Sequence, residues 1–217
     1  MPPTMYGQRR RCPLLAGAAL AALAALATPG CSHGREPAPS VVIELHALDA
    51  SFVAFTSARL TDLEAVEQAV ARLEAIRLDW LDVVGRADGP RASRDRLLAL
   101  LRLAELHLDL AARVRRVPYP VGTDDAGRGA FDAELSRIAL PLEATGQGML
   151  AQALARAARD GVDGRFVRRA RLYQRLHGGR PIDDDDVRAL HDELAATTFR
   201  APATLLQVDR VGQRASR

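Results

Sequence analysis

Four consecutive acids, Asp183-Asp-Asp-Asp186, form the densest run of oxygen ligands in the chain. They could draw a divalent cation, but adjacent acids do not reproduce the distributed ligands and tight turn of a calcium loop. Standing immediately before a helical pattern, they read as caps for exposed amides and as complements to a positive helix terminus. His46, His107, His177 and His191 fall in separate elements and lack the close spacing of a zinc helix, so they read as core, surface or helix-end residues. His107 and Asp109 are too close along a helix to face one another. Gly146-Gln-Gly148 lacks the lysine and hydroxyl of a phosphate loop, and the chain contains no lysine, so no nucleotide role is expected. These glycines read instead as flexible or close-packing positions. No metal, cofactor or catalytic set emerges, because a Ser-His-Asp site requires a constellation in space that composition cannot assemble.

The remaining candidates are surfaces. Arg168, Arg169, Arg171 and Arg175 make the best local basic patch, and Arg168, Arg171 and Arg175 share one broad helical face. Phe166, Tyr173 and Leu176 can anchor the opposite face. A solvated face is the simpler reading; recognition of lipid phosphate or of an acidic protein is the sharper one. Trp80 is the one tryptophan, and its spacing with Ile76 and Val84 favours a core position over a partner anchor. Tyr119 lies between Pro118 and Pro120, which favours loop packing over recognition. Trp80, Tyr119, Arg168, Arg171 and Arg175 together form the candidate interaction surface.

Charge narrows the partner classes. The 217 residues carry 30 basic and 27 acidic groups, every base an arginine. Three of these arginines, Arg9, Arg10 and Arg11, lie in Met1–Gly30, where there is no acid. Without that segment the count is 27 of each sign. Such balance argues against a chain built mainly to bind nucleic acid.

The segment that holds the excess divides into a positive start, an uncharged stretch over Leu14–Ala27, and small and turn-forming residues before Cys31. That is the layout of a secretory signal, and the apolar stretch is short for a membrane span. Leu26-Ala-Thr-Pro-Gly-Cys31, followed by Ser32-His-Gly, resembles the lipobox of bacterial lipoproteins, although Thr28 and Pro29 depart from the usual residues. The resemblance implies that Cys31 becomes the lipidated first residue. It further implies, through Ser32, outer-membrane sorting, with the chain facing the periplasm or the cell surface. Cys12 and Cys31 are the only cysteines, so export excludes an intramolecular disulfide framework.

The elements that must position these residues are helical. Val42, Leu45, Leu48, Phe52 and Phe55 recur every three or four residues, as do Leu63, Val66, Val70, Leu73, Ile76, Trp80 and Val84. Thr61 with Glu64 reads as a capping box for the second helix. A third helix starts near Ser93, with Leu97, Leu101, Ala104, Leu108 and Ala111 on one face, and ends at Pro118-Tyr-Pro-Val-Gly122. Asp124–Gly129 reads as a loop. Phe131 to Leu142 is expected to be helical up to an interruption near Pro141, and a further helix carries Met149, Ala153, Leu154 and Ala157. Phe166 to Leu176 and Asp184–Thr198 complete the series. The expected organisation is a signal peptide over 1–30, a tether over 31–40, an all-α domain of antiparallel helical hairpins over 41–199, and a C-terminal tail over 200–217.

Leu100-Leu-Arg-Leu-Ala-Glu-Leu-His-Leu-Asp-Leu-Ala111 resembles the first helix of a tetratricopeptide-like repeat, with Leu103-Ala104-Glu105 in the usual leucine-glycine-glutamate position and Leu108 in place of the aromatic. Ala133-Glu-Leu-Ser-Arg-Ile-Ala-Leu-Pro-Leu-Glu143, with the segments Ala151–Asp160 and Phe166–Leu176, resembles the helical-repeat lipoproteins and gliding-motility proteins of myxobacteria and relatives, a similarity that covers roughly residues 60–177. That resemblance implies a right-handed solenoid or compact helical array and a periplasmic scaffold whose partner is an envelope protein. Two alternatives stay open: an exported helical module that binds a lipid or other hydrophobic ligand between helices, and an envelope enzyme of unknown reaction.

Overall fold

Three helices begin where an aspartate, Asp62, Asp124 or Asp183, holds a first-turn amide. In the computed structural model, which describes residues 41–87 and 91–207, Asp62 accepts from the Ala65 amide at 2.8 Å and starts a helix over Leu63–Arg86. The cap is therefore Asp62 rather than Thr61, whose hydroxyl donates to the Asp62 carboxylate at 2.9 Å. The aspartate wins because its carboxylate carries a full charge toward the positive end of the helix.

Among the described residues there are seven α-helices and no strand. They are α1 (Val41–Ser57), α2 (Leu63–Arg86), α3 (Ala92–Val114), α4 (Asp125–Arg159), α5 (Arg165–His177), α6 (Asp184–Leu194) and α7 (Ala203–Leu206). Consecutive helices pack on one another from α1 through α4, and α5 packs on both α4 and α6. The result is an all-α fold with the adjacent-helix packing of a helical-repeat or compact helical array. The chain divides into two units, Met1–Ala38 and Pro39–Arg217, and the helices belong to the second. The expected signal peptide, Cys31 and the tether lie outside the described residues.

The long helix α4 replaces two expected helices and the loop before them. Asp124 caps it through the Gly127 amide at 2.8 Å, so most of the Asp124–Gly129 segment is its first turn. It then continues through Pro141 for 35 residues, about 52 Å at 1.5 Å per residue. Proline costs about 3 kcal/mol inside a helix. Here its ring is exposed, while the buried stripe of Leu135, Ala139, Gly146, Leu150, Ala153 and Ala157 keeps helical spacing on both sides of it. Burial of that stripe against α3 overrides the local break.

Helix α3 is the centre of the domain. Every residue from Leu97 to Ala111 is buried, and α3 contributes to each of the three hydrophobic clusters. The domain also runs past residue 199. Helix α6 stops at Leu194 rather than Thr198, and the segment after it returns to the core through Phe199, Ala201 and Leu205. Residues 200–207 of the expected tail are thus packed. Their anchors are too few and too irregular for helical periodicity to reveal.

Candidate functional site

Because α3 is covered on all sides, its polar residues must find partners inside. Arg102 donates from Nη1 to Glu105 Oε2 at 2.7 Å and to the Arg200 carbonyl at 2.8 Å, and from Nη2 to Asp49 on α1. Its guanidinium also lies 3.9 Å over the Phe52 ring, which adds a cation–π contact. Glu105 accepts the Tyr173 hydroxyl at 2.7 Å and lies 2.9 Å from Arg169 Nε. Arg169 in turn donates from Nη1 to Glu193 on α6 at 2.5 Å and to the Phe199 carbonyl at 2.7 Å. Arg165 completes the chain with 2.9 and 3.1 Å bonds to Glu193.

Three guanidinium groups thus face three carboxylates drawn from α1, α3, α5 and α6. Burial opposes the Arg169 charge, but Glu105 and Glu193 outweigh it and hold its pKa above the ordinary arginine value. Burial, reinforced by Glu105, pushes the Tyr173 phenol well above its usual range, so it acts as a neutral donor. Phe199 has φ of 47°, a left-handed conformation that a bulky side chain rarely adopts. Its ring packs edge-on to Phe166 and its carbonyl receives Arg169, which together hold it there. The chemistry available is fixation: each acid already has a cation or hydroxyl bound.

A second polar pair lies one turn along α3. Asp109 accepts from Arg113 Nε at 2.7 Å and from the Thr204 hydroxyl, joining α3 to α7. Burial raises its pKa, with Arg113 and Thr204 opposing the shift. Asp109 also lies at a groove of about 640 Å³ between α1 and residues 200–207. Val53 and Leu194, 48% and 52% exposed, flank that groove. His107 points elsewhere, with Nδ1 2.8 Å from the Leu103 carbonyl. Burial lowers its pKa, so it is neutral at pH 7 and Nδ1–H donates.

The surface candidates separate in space. Trp80 is fully buried in the core, so it is not available as a surface anchor. Tyr119 is 45% exposed, donates to Asp132 at 3.0 Å and packs against the Phe131 ring, fastening the α3–α4 loop to α4. Arg168 pairs with Asp192 at 3.0 Å, and Arg175 pairs with Asp183 and with Asp186, the latter at 3.0 Å. Two of the three patch arginines are therefore met by acids of α6, while Arg171 is exposed and makes no ion pair among the described residues. Sequence reasoning misses Arg102 and Glu193, reads Glu105 only as part of a repeat-like pattern and Tyr173 only as an apolar anchor, sets Asp109 aside, and places the buried Arg169 in the surface patch. The usable signal was leucine at every helical phase of residues 97–110, since a helix apolar all round is buried and carries its polar residues inward.

The acidic run caps α6. Asp183 accepts from the Asp186 amide at 2.9 Å, and Asp186 accepts from the Asp183 amide at 3.1 Å, a reciprocal capping box. The Asp186 amide, with Arg175 beside it, holds the Asp183 carboxyl below its usual 3.8. A carboxylate depressed on folding stabilises above its unfolded pKa and stops doing so as pH falls through the folded one. Hydrogen-exchange protection at the Asp186 amide is therefore expected to fall below pH 3.8, ahead of protection in α3, and in Asp183→Ala to be low at every pH.

Among the described residues no group of three His, Cys, Asp or Glu side chains could hold a metal ion, and no helix is long and apolar enough to cross a membrane. Fold and network together define an all-α helical array pinned by buried ion pairs. No protein-family model, curated protein or solved structure matches the chain.

Proposed function

We propose that the chain is a non-enzymatic envelope lipoprotein, anchored through Cys31, whose helical array is a rigid scaffold for another envelope protein. The observation that carries this reading is the closure of the buried network. Glu105, Glu193 and Asp109 are bound by guanidinium and hydroxyl groups that tie α3 to α5, α6 and α7. Groups so committed set the relative positions of helices; a general acid or base needs access to a substrate proton. The signal-like start, Cys31 and Ser32 support placement at the outer membrane, facing the periplasm or the surface.

Intact-mass measurement of the membrane-extracted protein is expected to show loss of residues 1–30 and the added mass of acyl chains. Both changes should vanish in Cys31→Ser. An unmodified mature mass would remove the anchor from this reading. The scaffold itself is tested by proximity crosslinking in envelope membranes through a photoreactive side chain, because the chain has no lysine for amine reagents. One protein complex should be enriched with the wild type and depleted in Cys31→Ser. Equal enrichment in both, or none in either, would contradict a tethered scaffold.

A further inference from the structure

Of the residues lining the groove between α1 and residues 200–207, only Asp109 and Arg200 carry charge. Asp109 is buried and already compensated by Arg113 at 2.7 Å and by the Thr204 hydroxyl. Arg200 is exposed, makes no ion pair among the described residues, and donates only to the Leu194 carbonyl at 3.4 Å. The backbone of Arg200 is held beside the groove, because its carbonyl accepts from Arg102 at 2.8 Å. The rest of the wall is largely apolar, with Phe52 and Val53 from α1 facing Leu194, Pro202 and Leu206. At about 640 Å³ the groove falls within the size range of small-molecule sites.

An apolar wall beside one uncompensated cation complements an apolar chain that ends in an anion. We propose that this groove binds a single acyl chain bearing a carboxylate, with Arg200 meeting the carboxylate and Val53, Leu194 and Leu206 covering the chain. A guanidinium matches a carboxylate in planar, two-point geometry, which selects it over a neutral or cationic head. The methylenes supply affinity by leaving water. Such binding needs no protein partner, so it stands or falls separately from the scaffold reading.

The test is calorimetric titration of the purified full chain with dodecanoate below its micellar concentration, beside dodecanol, dodecyltrimethylammonium and phosphatidylglycerol vesicles. Saturable binding of dodecanoate with one site is expected, with dodecyltrimethylammonium at least about tenfold weaker. Arg200→Gln should weaken dodecanoate about tenfold and leave dodecanol unchanged. Val53→Glu, on the exposed side of α1, should abolish binding of both while helical circular dichroism is retained. Absence of saturable binding, equal affinity for the anionic and cationic amphiphiles, indifference to Arg200→Gln, or binding to vesicles alone would each overturn the proposal. Binding that appears only in Cys31→Ser would also overturn it, because the groove would then belong to the chain's own anchor.

Discussion

Glu105→Ala is expected to destabilise the domain by about 4 kcal/mol in urea unfolding. Glu105 is wholly buried, and its removal strips a carboxylate from both Arg102 and Arg169 and an acceptor from the Tyr173 hydroxyl. The penalty is set by the groups left behind, since guanidinium groups cannot shed their charge near neutral pH. Against a typical domain stability of about 5–15 kcal/mol, that loss moves a large share of the population toward unfolding. The double variant Glu105→Met with Arg169→Met should be at least about 2 kcal/mol less damaging than the sum of the single changes. Arg102 keeps Asp49 and Glu193 keeps Arg165 in that variant, so no cation or acid loses its last partner. Strict additivity would mean that the ion pairs are incidental to the packing.

Two glycines of α4 should respond in opposite directions. A Cβ on Gly146 would lie 2.7 Å from Leu108 Cγ and 3.1 Å from the Ala104 carbonyl oxygen, where α4 crosses the central helix. Leu108 is itself buried, so neither neighbour can withdraw freely. Gly146→Val is expected to cost about 3 kcal/mol. Gly146→Ala should cost about 1 kcal/mol, because better helix propensity offsets part of the overlap. Gly148 is exposed, with nothing within 4 Å of its Cβ position. Gly148→Ala should therefore raise stability by about 0.5–1 kcal/mol. Thermal unfolding of the three variants checks the pattern, and equal responses at 146 and 148 would contradict close packing at Gly146.

The same helices show where the sequence was readable. The three-, four- and seven-residue spacing of Leu45, Phe52 and Phe55, and of Val66, Leu73, Ile76 and Trp80, marks α1 and α2 because each buries a single stripe. Val70 fits that spacing but is 37% exposed. Pro141 suggested a break because the local cost of proline can be read from one residue, whereas the continuous contact of Leu135 through Ala157 with α3 is a property of the assembled pair. The buried network was the least legible part. Arg102, Glu105, Arg169 and Glu193 look like ordinary solvent-facing charges until α1, α5 and α6 are placed around α3, and most of their pairing spans positions far apart in the chain. Arg168 and Arg175 mislead in the converse way, since the acids that meet them belong to another helix.

The left-handed turn at Phe199 and the carbonyls beside it bear on how the protein is made. Arg102, Arg165 and Arg169 donate to the Arg200, Thr198 and Phe199 carbonyls, and Thr204 completes the Asp109 pair. These acceptors follow α6, and the Arg200 carbonyl lies 98 residues after its cationic partner Arg102 in α3. A nascent chain that has reached α6 still holds charged groups on α3 and α5 without their final acceptors. The hydrogen bonds of these cations are therefore complete only once residues 198–204 are present. A chain made only as far as α6 thus lacks the last acceptors of its central polar network, which is completed by the segment that follows that helix.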